Sequence, residues 1–153
     1  MKLNLPPIEL KIINKEGKNF VFDRLRKQYV RLTPEEEVRQ VFVSFLIDYK
    51  AYPEGLLANE VAIPLGKTKK RCDTVLYDKF LTPLLIIEFK APSVEISQQT
   101  FDQIARYVSS LNAPWLIISN GLQHFCCYKE KEEYVFLKDI PDYNELMGRI
   151  NYP

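Results

Sequence analysis

Apolar positions recur with two different periods along this chain, and the periods alone divide it into helices and strands. Val38, Val41, Phe42, Phe45, Leu46 and Tyr49 lie three or four residues apart, which lays one apolar stripe along a helix. Thr33-Pro34 supplies its start: the threonine hydroxyl can cap free N–H groups, and proline suits the first helical position. Glu35, Glu36 and Glu37 then oppose the positive end of the helix dipole. The helix ends near Lys50, ahead of Pro53 and Gly55. A second helix is predicted from about Ser97 to Leu111, with Phe101, Ile104, Ala105, Val108 and Leu111 toward the core, and a terminal one from Tyr143 to Ile150.

Short apolar runs bounded by turn residues predict strands between the two long helices, at Leu57–Pro64, Arg71–Tyr77 and Leu84–Lys90. Three more follow the second helix, at Trp115–Ser119, Leu122–Tyr128 and Tyr134–Leu137, the first two joined by a hairpin turn at Asn120-Gly121. Upstream, Ile8–Ile13 and Asn19–Phe22 flank the turn Lys15-Glu16-Gly17-Lys18 and predict an N-terminal β-hairpin. The sum is an α/β domain with a mixed β-sheet flanked by helices. Residues 1–32 form the hairpin extension, 33–137 the core and 138–153 the C-terminal helix.

At 153 residues the chain suits one compact domain, and 46% hydrophobic residues suffice for a core, which excludes a disordered tail. No apolar run approaches the roughly 20 residues of a membrane-spanning helix, so no membrane is expected. No apolar segment of signal-peptide type follows Met1, so a cytoplasmic location is expected. Three cysteines (Cys72, Cys126 and Cys127), two of them adjacent, suit reduced, buried thiols better than a disulfide framework. With His124 the sole histidine and no C-x-x-C, a Cys/His zinc site or a histidine triad has no residues to draw on. His124 is read as a surface or core side chain rather than a base, and Trp115 as core.

The net charge of +1 gives no overall attraction to nucleic acid, but the charges are segregated. Lys11 to Arg31 holds seven basic residues against Glu16 and Asp23, Lys67, Lys69, Lys70 and Arg71 form a cluster without an acid, and Tyr128 to Glu145 is mainly acidic. One basic side can hold phosphates on a molecule that is neutral on average. The plain alternative for either cluster is a solvated face.

The chemistry concentrates in Arg71-Cys72-Asp73 and Glu88-Phe89-Lys90-Ala91-Pro92. A hairpin turning between Phe80 and Leu81 sets Asp73 opposite Glu88, and opposed residues share a face. Lys90, two residues on, shares that face, whereas Phe89 points away. Paired carboxylates raise each other's proton affinity unless a cation lies between them, and a hard divalent ion, Mg²⁺ or Mn²⁺, suits that place. Such an ion can acidify a bound water and stabilise a phosphodiester in transition, with a lysine ammonium orienting the water or neutralising phosphate. An ordinary Glu-x-Lys pairing at a strand end is the plain alternative. Leu84 to Ile87 weighs against it by predicting a buried strand whose charged end lies at the carboxyl edge of the sheet, where α/β sheets bind ligands.

With Phe22-Asp23-Arg24-Leu25-Arg26-Lys27, Thr33-Pro34-Glu35-Glu36-Glu37-Val38-Arg39-Gln40 and Gln103-Ile104-Ala105-Arg106-Tyr107, these segments form a set that is fairly specific in this order. The chain resembles the PD-(D/E)XK nuclease superfamily, and more narrowly the N-terminal nuclease domain of type I restriction enzyme R subunits in a stand-alone form. Cys72 stands where the superfamily name has proline, a position that varies. The resemblance implies a restriction-endonuclease-like fold and an endonuclease that hydrolyses DNA phosphodiester bonds with Mg²⁺ or Mn²⁺ in restriction–modification. Asp73, Glu88 and the Phe89 carbonyl would hold the metal, and Lys90 would orient or activate water. An acid from the opening helix often completes such sites. Helical angle favours Glu35, with Glu36 second, against simple dipole compensation. Gln103 and Tyr107 match a Gln-x-x-x-Tyr element that would support the site or DNA, against a half-buried helix pair as the alternative. Lys67, Lys69, Lys70 and Arg71 would contact phosphates.

Gly66-Lys67-Thr68 imitates the end of a phosphate-binding loop, but Val61 stands where its first glycine is required. No motor is visible, so translocation would need another protein, such as other restriction-system or motor subunits, or does not occur. The rival readings are a non-catalytic DNA-binding or complex-forming module that retains the nuclease fold, and a nuclease subunit active only in a complex. DNA versus RNA, target sequence and homo-oligomer formation stay open.

Overall fold

A computed structural model describes residues 2–150. Three antiparallel strands come first: β1 (Ile12–Lys15), β2 (Lys18–Asp23) and β3 (Gln28–Arg31). Helix α1 (Pro34–Lys50) leads to β4 (Leu57–Leu65), β5 (Thr68–Tyr77) and β6 (Pro83–Phe89). Helix α2 (Gln98–Ser109) then precedes β7 (Trp115–Ser119), β8 (His124–Glu130), β9 (Glu133–Leu137) and the short helix α3 (Tyr143–Gly148). Strands β4 to β9 form one six-stranded sheet in sequence order. Neighbours β6 and β7 run parallel and the other pairs antiparallel. Parallel neighbours need a crossover, which α2 supplies.

The helices cover opposite faces of that sheet. Val38, Phe42 and Leu46 of α1 pack with Leu85, Ile87 and Phe89, while Phe101 and Val108 of α2 pack with Val75 and Ile86. Leu84 to Ile87 is therefore buried on both sides, as a strand roofed by helices must be. Burying one such side chain stabilises the fold by about 1.5–3 kcal/mol. Trp115 is core, and the three cysteines are free and buried. This mixed α/β architecture is consistent with a restriction-endonuclease-like fold. Among the described residues no helix is long and apolar enough to cross a membrane.

Thr33 caps α1 as its residue type predicts, its hydroxyl accepting the Glu36 N–H at 3.0 Å. The stripe is corrected at one position: Tyr49 is 55% exposed, leaning on Phe45, whereas Val43 is buried. The buried arc of α1 is wider than one stripe because a second surface covers it, through Leu25 and through Arg24 reaching Ser44 and Asp48.

Three further corrections concern turns. The N-terminal hairpin starts at Ile12 rather than Ile8 and gains a third strand. Glu16 and Gly17, with φ of 54° and 77°, form its two-residue turn. Asp23 then accepts the Leu25 and Arg26 N–H groups, and Lys27 (φ 55°) sends the chain back as β3. Asn120-Gly121 is part of a four-residue loop, not a two-residue turn, because the Asn120 carboxamide accepts the Leu122 and Gln123 N–H groups and β8 pairs only from His124. The β5–β6 loop closes through Asp78, which accepts the Phe80 and Thr82 N–H groups. A register shift between Leu76 and Tyr77 absorbs the odd residue, so Thr74 still faces Ile87.

Candidate active site

The site forms where two ladders stop. Pairing of β4 with β5 skips Glu60 and Asp73, and Glu60 has a φ of 55°. Pairing of β5 with β6 ends at Thr74–Ile87, and one further step brings Asp73 to Glu88. Asp73 thus lacks regular strand partners and takes two irregular ones. Its carboxylate accepts the Phe89 N–H at 2.8 Å, and its carbonyl accepts Arg39 Nη1 at 3.0 Å. The same irregularity shows at Cys72, which packs on the α2 side with Val75 although simple alternation would separate the two.

Glu88 is held beside Asp73. Its Oε1 is buried without a hydrogen-bond partner, which holds for no other side-chain nitrogen or oxygen among the described residues. Burial, reinforced by the negative charge of Asp73, pushes the Glu88 carboxyl up to about 9, with Lys90 pulling the other way. The Lys90 backbone N–H donates to the Ser119 carbonyl at 2.9 Å, which carries the strand pairing one residue past β6. The Lys90 side chain is half-buried and makes no ion pair among the described residues.

Glu35 and Glu36 part ways. Glu35 lies on the open side of the first helical turn, and its carboxyl is raised by partial burial and then by Asp73, against Lys90 and Arg39. Glu36 points inward and is tied to Arg39, Gln40 and Arg26. Burial pushes Glu36 up, but these bonds more than offset it and hold it below the usual range. A cleft of about 490 Å³ opens between α1 and the strands, lined by Glu35, Arg39, Glu60, Asp73 and Phe89 among others. Glu88 and Lys90 do not line it. Among the described residues no three His, Cys, Asp or Glu side chains converge as a ready-made metal cage.

The remaining candidates divide as well. The Tyr107 hydroxyl accepts the Arg71 N–H at 2.9 Å, and Lys70 Nζ stands 4.2 Å from the centre of its ring. The Gln103 side chain, one turn earlier, is exposed and makes no hydrogen bond among the described residues. Lys67 and Lys69 are exposed at the β4–β5 turn, while Arg71 pairs with Glu60 at 3.0 Å. Gly66-Lys67 is the turn of an antiparallel hairpin, so no helix follows it as a phosphate-binding loop requires. His124 is occupied on both ring nitrogens, by the Ser119 hydroxyl and the Asn4 carbonyl.

Sequence reasoning missed the polar network behind the site. Asp23 is fully buried and accepts N–H groups of Leu25, Arg26 and Asn59, while Asn59 accepts the Thr74 hydroxyl. Burial raises the Asp23 carboxyl, and these bonds more than offset that. Arg39 bridges Glu36, Glu60 and the Asp73 carbonyl. The signal available for Arg39 was its three-residue spacing from Glu36.

The comparisons with known proteins bear on the same segment. The family model described as type I restriction enzyme R protein N terminus matches residues 34–141, from α1 past β9. No curated protein matches the chain. Among solved structures, the cryoEM structure of the DrdV–DNA complex is similar over 76% of this chain, at 18% identity and a TM-score of 0.46. The chain spans only 11% of that protein's chain. On a family match running from the first residue of α1 through the whole six-stranded sheet, the chain belongs to the family of type I restriction enzyme R protein N termini.

Proposed function

We propose that the chain is a PD-(D/E)XK endonuclease domain that hydrolyses DNA phosphodiester bonds with Mg²⁺ or Mn²⁺, in a restriction system. The observation that carries this reading is Glu88 Oε1, buried and unpartnered beside a second carboxylate. Leaving such an atom unsatisfied costs about 1–3 kcal/mol, and more when charged. Hard oxygen donors at this place fit a hard divalent cation. Asp73, Glu88 and the Phe89 carbonyl would hold it, with Glu35 contributing from α1. Once bound, the ion supplies Lewis-acid polarisation of a phosphoryl oxygen and an acidified water.

The protein's own part is placement and charge. Lys90, unpaired among the described residues and on a backbone fixed by Ser119, orients the attacking water and balances charge on the phosphate. The Phe89 N–H and Arg39 keep Asp73 from swinging out of line. Tyr107 steadies β5 at Arg71, and Gln103 extends the same helix face toward DNA. Lys67, Lys69, Lys70 and Arg71 follow the phosphate backbone.

Cleavage of supercoiled plasmid by the purified chain tests this directly, with Mg²⁺, Mn²⁺ or EDTA and beside Lys90→Ala. Metal-dependent nicking is expected, reduced about 10²–10⁴-fold in the variant. If the wild type cuts with neither ion yet binds DNA in EDTA, the chain is a non-catalytic DNA-binding module instead.

A further inference from the structure

Arg39 is only 6% exposed, yet its guanidinium serves three partners at once. Nε and Nη2 grip the Glu36 carboxylate, and Nη1 reaches Glu60 Oε1 at 2.8 Å. Those contacts balance charge. The third does not, because Nη1 also donates to the Asp73 backbone carbonyl at 3.0 Å. A strand residue inside a sheet normally shares its carbonyl with the neighbouring strand. At Asp73 the ladder lapses, and a helix side chain takes the neighbour's place. Asp73 is therefore clamped twice, by α1 at its backbone and by the Phe89 N–H at its carboxylate.

We propose that Arg39 is a positioning residue whose guanidinium fork, through the Asp73 carbonyl, aims the Asp73 carboxylate at the Phe89 N–H and at Glu88. The fork matters beyond its charge. Its planar array grips one carboxylate along one edge while presenting Nη1 to Glu60 and Asp73, which a lysine ammonium, a single point of charge, cannot span. Its importance for catalysis rests on the nuclease reading, but its control of Asp73 does not.

The test uses Arg39→Lys in the full chain, with Arg24→Lys as control. Arg24 also binds acids of the α1 region but makes no bond to Asp73. Amide hydrogen exchange of the metal-free, ¹⁵N-labelled protein reads the Phe89 N–H directly. In Arg39→Lys that amide is expected to exchange at least about tenfold faster, with Leu85 and Ile87 unchanged and the control like wild type. Mn²⁺ affinity, measured well below each melting temperature, is expected to fall about 10–100-fold. Arg39→Ala strands two acids and risks unfolding, so the lysine variant decides. Phe89 protection equal to wild type, or lost only in step with Leu85 and Ile87, overturns the proposal. Selective loss at Phe89 in a protein whose wild type binds no Mn²⁺ upholds the positioning role and overturns the nuclease reading.

Discussion

Replacing Glu88 with glutamine removes the ionisable group from its pocket while leaving volume and shape almost unchanged. The folded protein holds the Glu88 proton up to about pH 9, against 4.5 for a free side chain. Because the folded value is raised, the wild type has its full stability below about pH 4.5, loses it as pH rises toward 9, and then levels off. At neutral pH the unfolded chain has released a proton that the folded one retains. At about 1.4 kcal/mol per pH unit, this costs on the order of 3 kcal/mol. Glutamine cannot ionise, and its NH2 can donate to Asp73 as the protonated acid does, so the variant recovers about 2–3 kcal/mol. For a domain of this size that is roughly 4–12 °C in Tm. Thermal melts in EDTA at about pH 5, 7 and 9 read the effect, which grows with pH over this range. Added Mg²⁺ then raises the Tm of the wild type, whose carboxylate it satisfies, and leaves Glu88→Gln unmoved. A variant no more stable than wild type at pH 9, or a difference equal at pH 5 and pH 9, refutes the reasoning.

Other substitutions separate the roles of neighbouring groups. Glu36→Gln breaks a buried ion network and should cost about 3–5 kcal/mol in urea unfolding, whereas Glu35→Gln should stay within about 0.5 kcal/mol and instead weaken Mn²⁺ binding and cleavage. Asp23 lies below its usual range, so its contribution is present above about pH 3.8 and is lost as pH falls through its still lower folded value. Asp23→Asn should therefore lower the neutral-pH Tm and flatten the acid side of the stability curve, both read by thermal melts. Lys67→Ala with Lys69→Ala should weaken DNA binding for any sequence and reduce the salt slope by about 2, measured by fluorescence anisotropy across ionic strength.

The opening helix, the central strands and the crossover helix were legible because their signals are local. Thr33-Pro34 caps its own helix, and Leu84 to Ile87 states its burial as a continuous apolar run. The register of β5 against β6, with Thr74 facing Ile87, was legible too, since consecutive strands of one hairpin leave few registers to choose from. Turn details were less so: the Leu76–Tyr77 bulge and the Asn120 loop depend on side chains that bind backbone N–H groups, and dipeptide preference does not see these.

What the sequence by itself determined, then, was the order of elements and the register of the β5–β6 hairpin, because periodicity and hairpin pairing act over a few residues. Only the tertiary structure decided how α1 is rotated against the sheet. That rotation leaves Glu35 open toward Asp73, turns Glu36 into an ion network, and brings Arg39 to a carbonyl 34 residues away. It also decided that Asp23, Asn59 and Thr74 form one buried chain of bonds between the N-terminal turn and β5. The physical reason is that such contacts follow from how whole elements pack, and no local pattern carries the angle at which they meet.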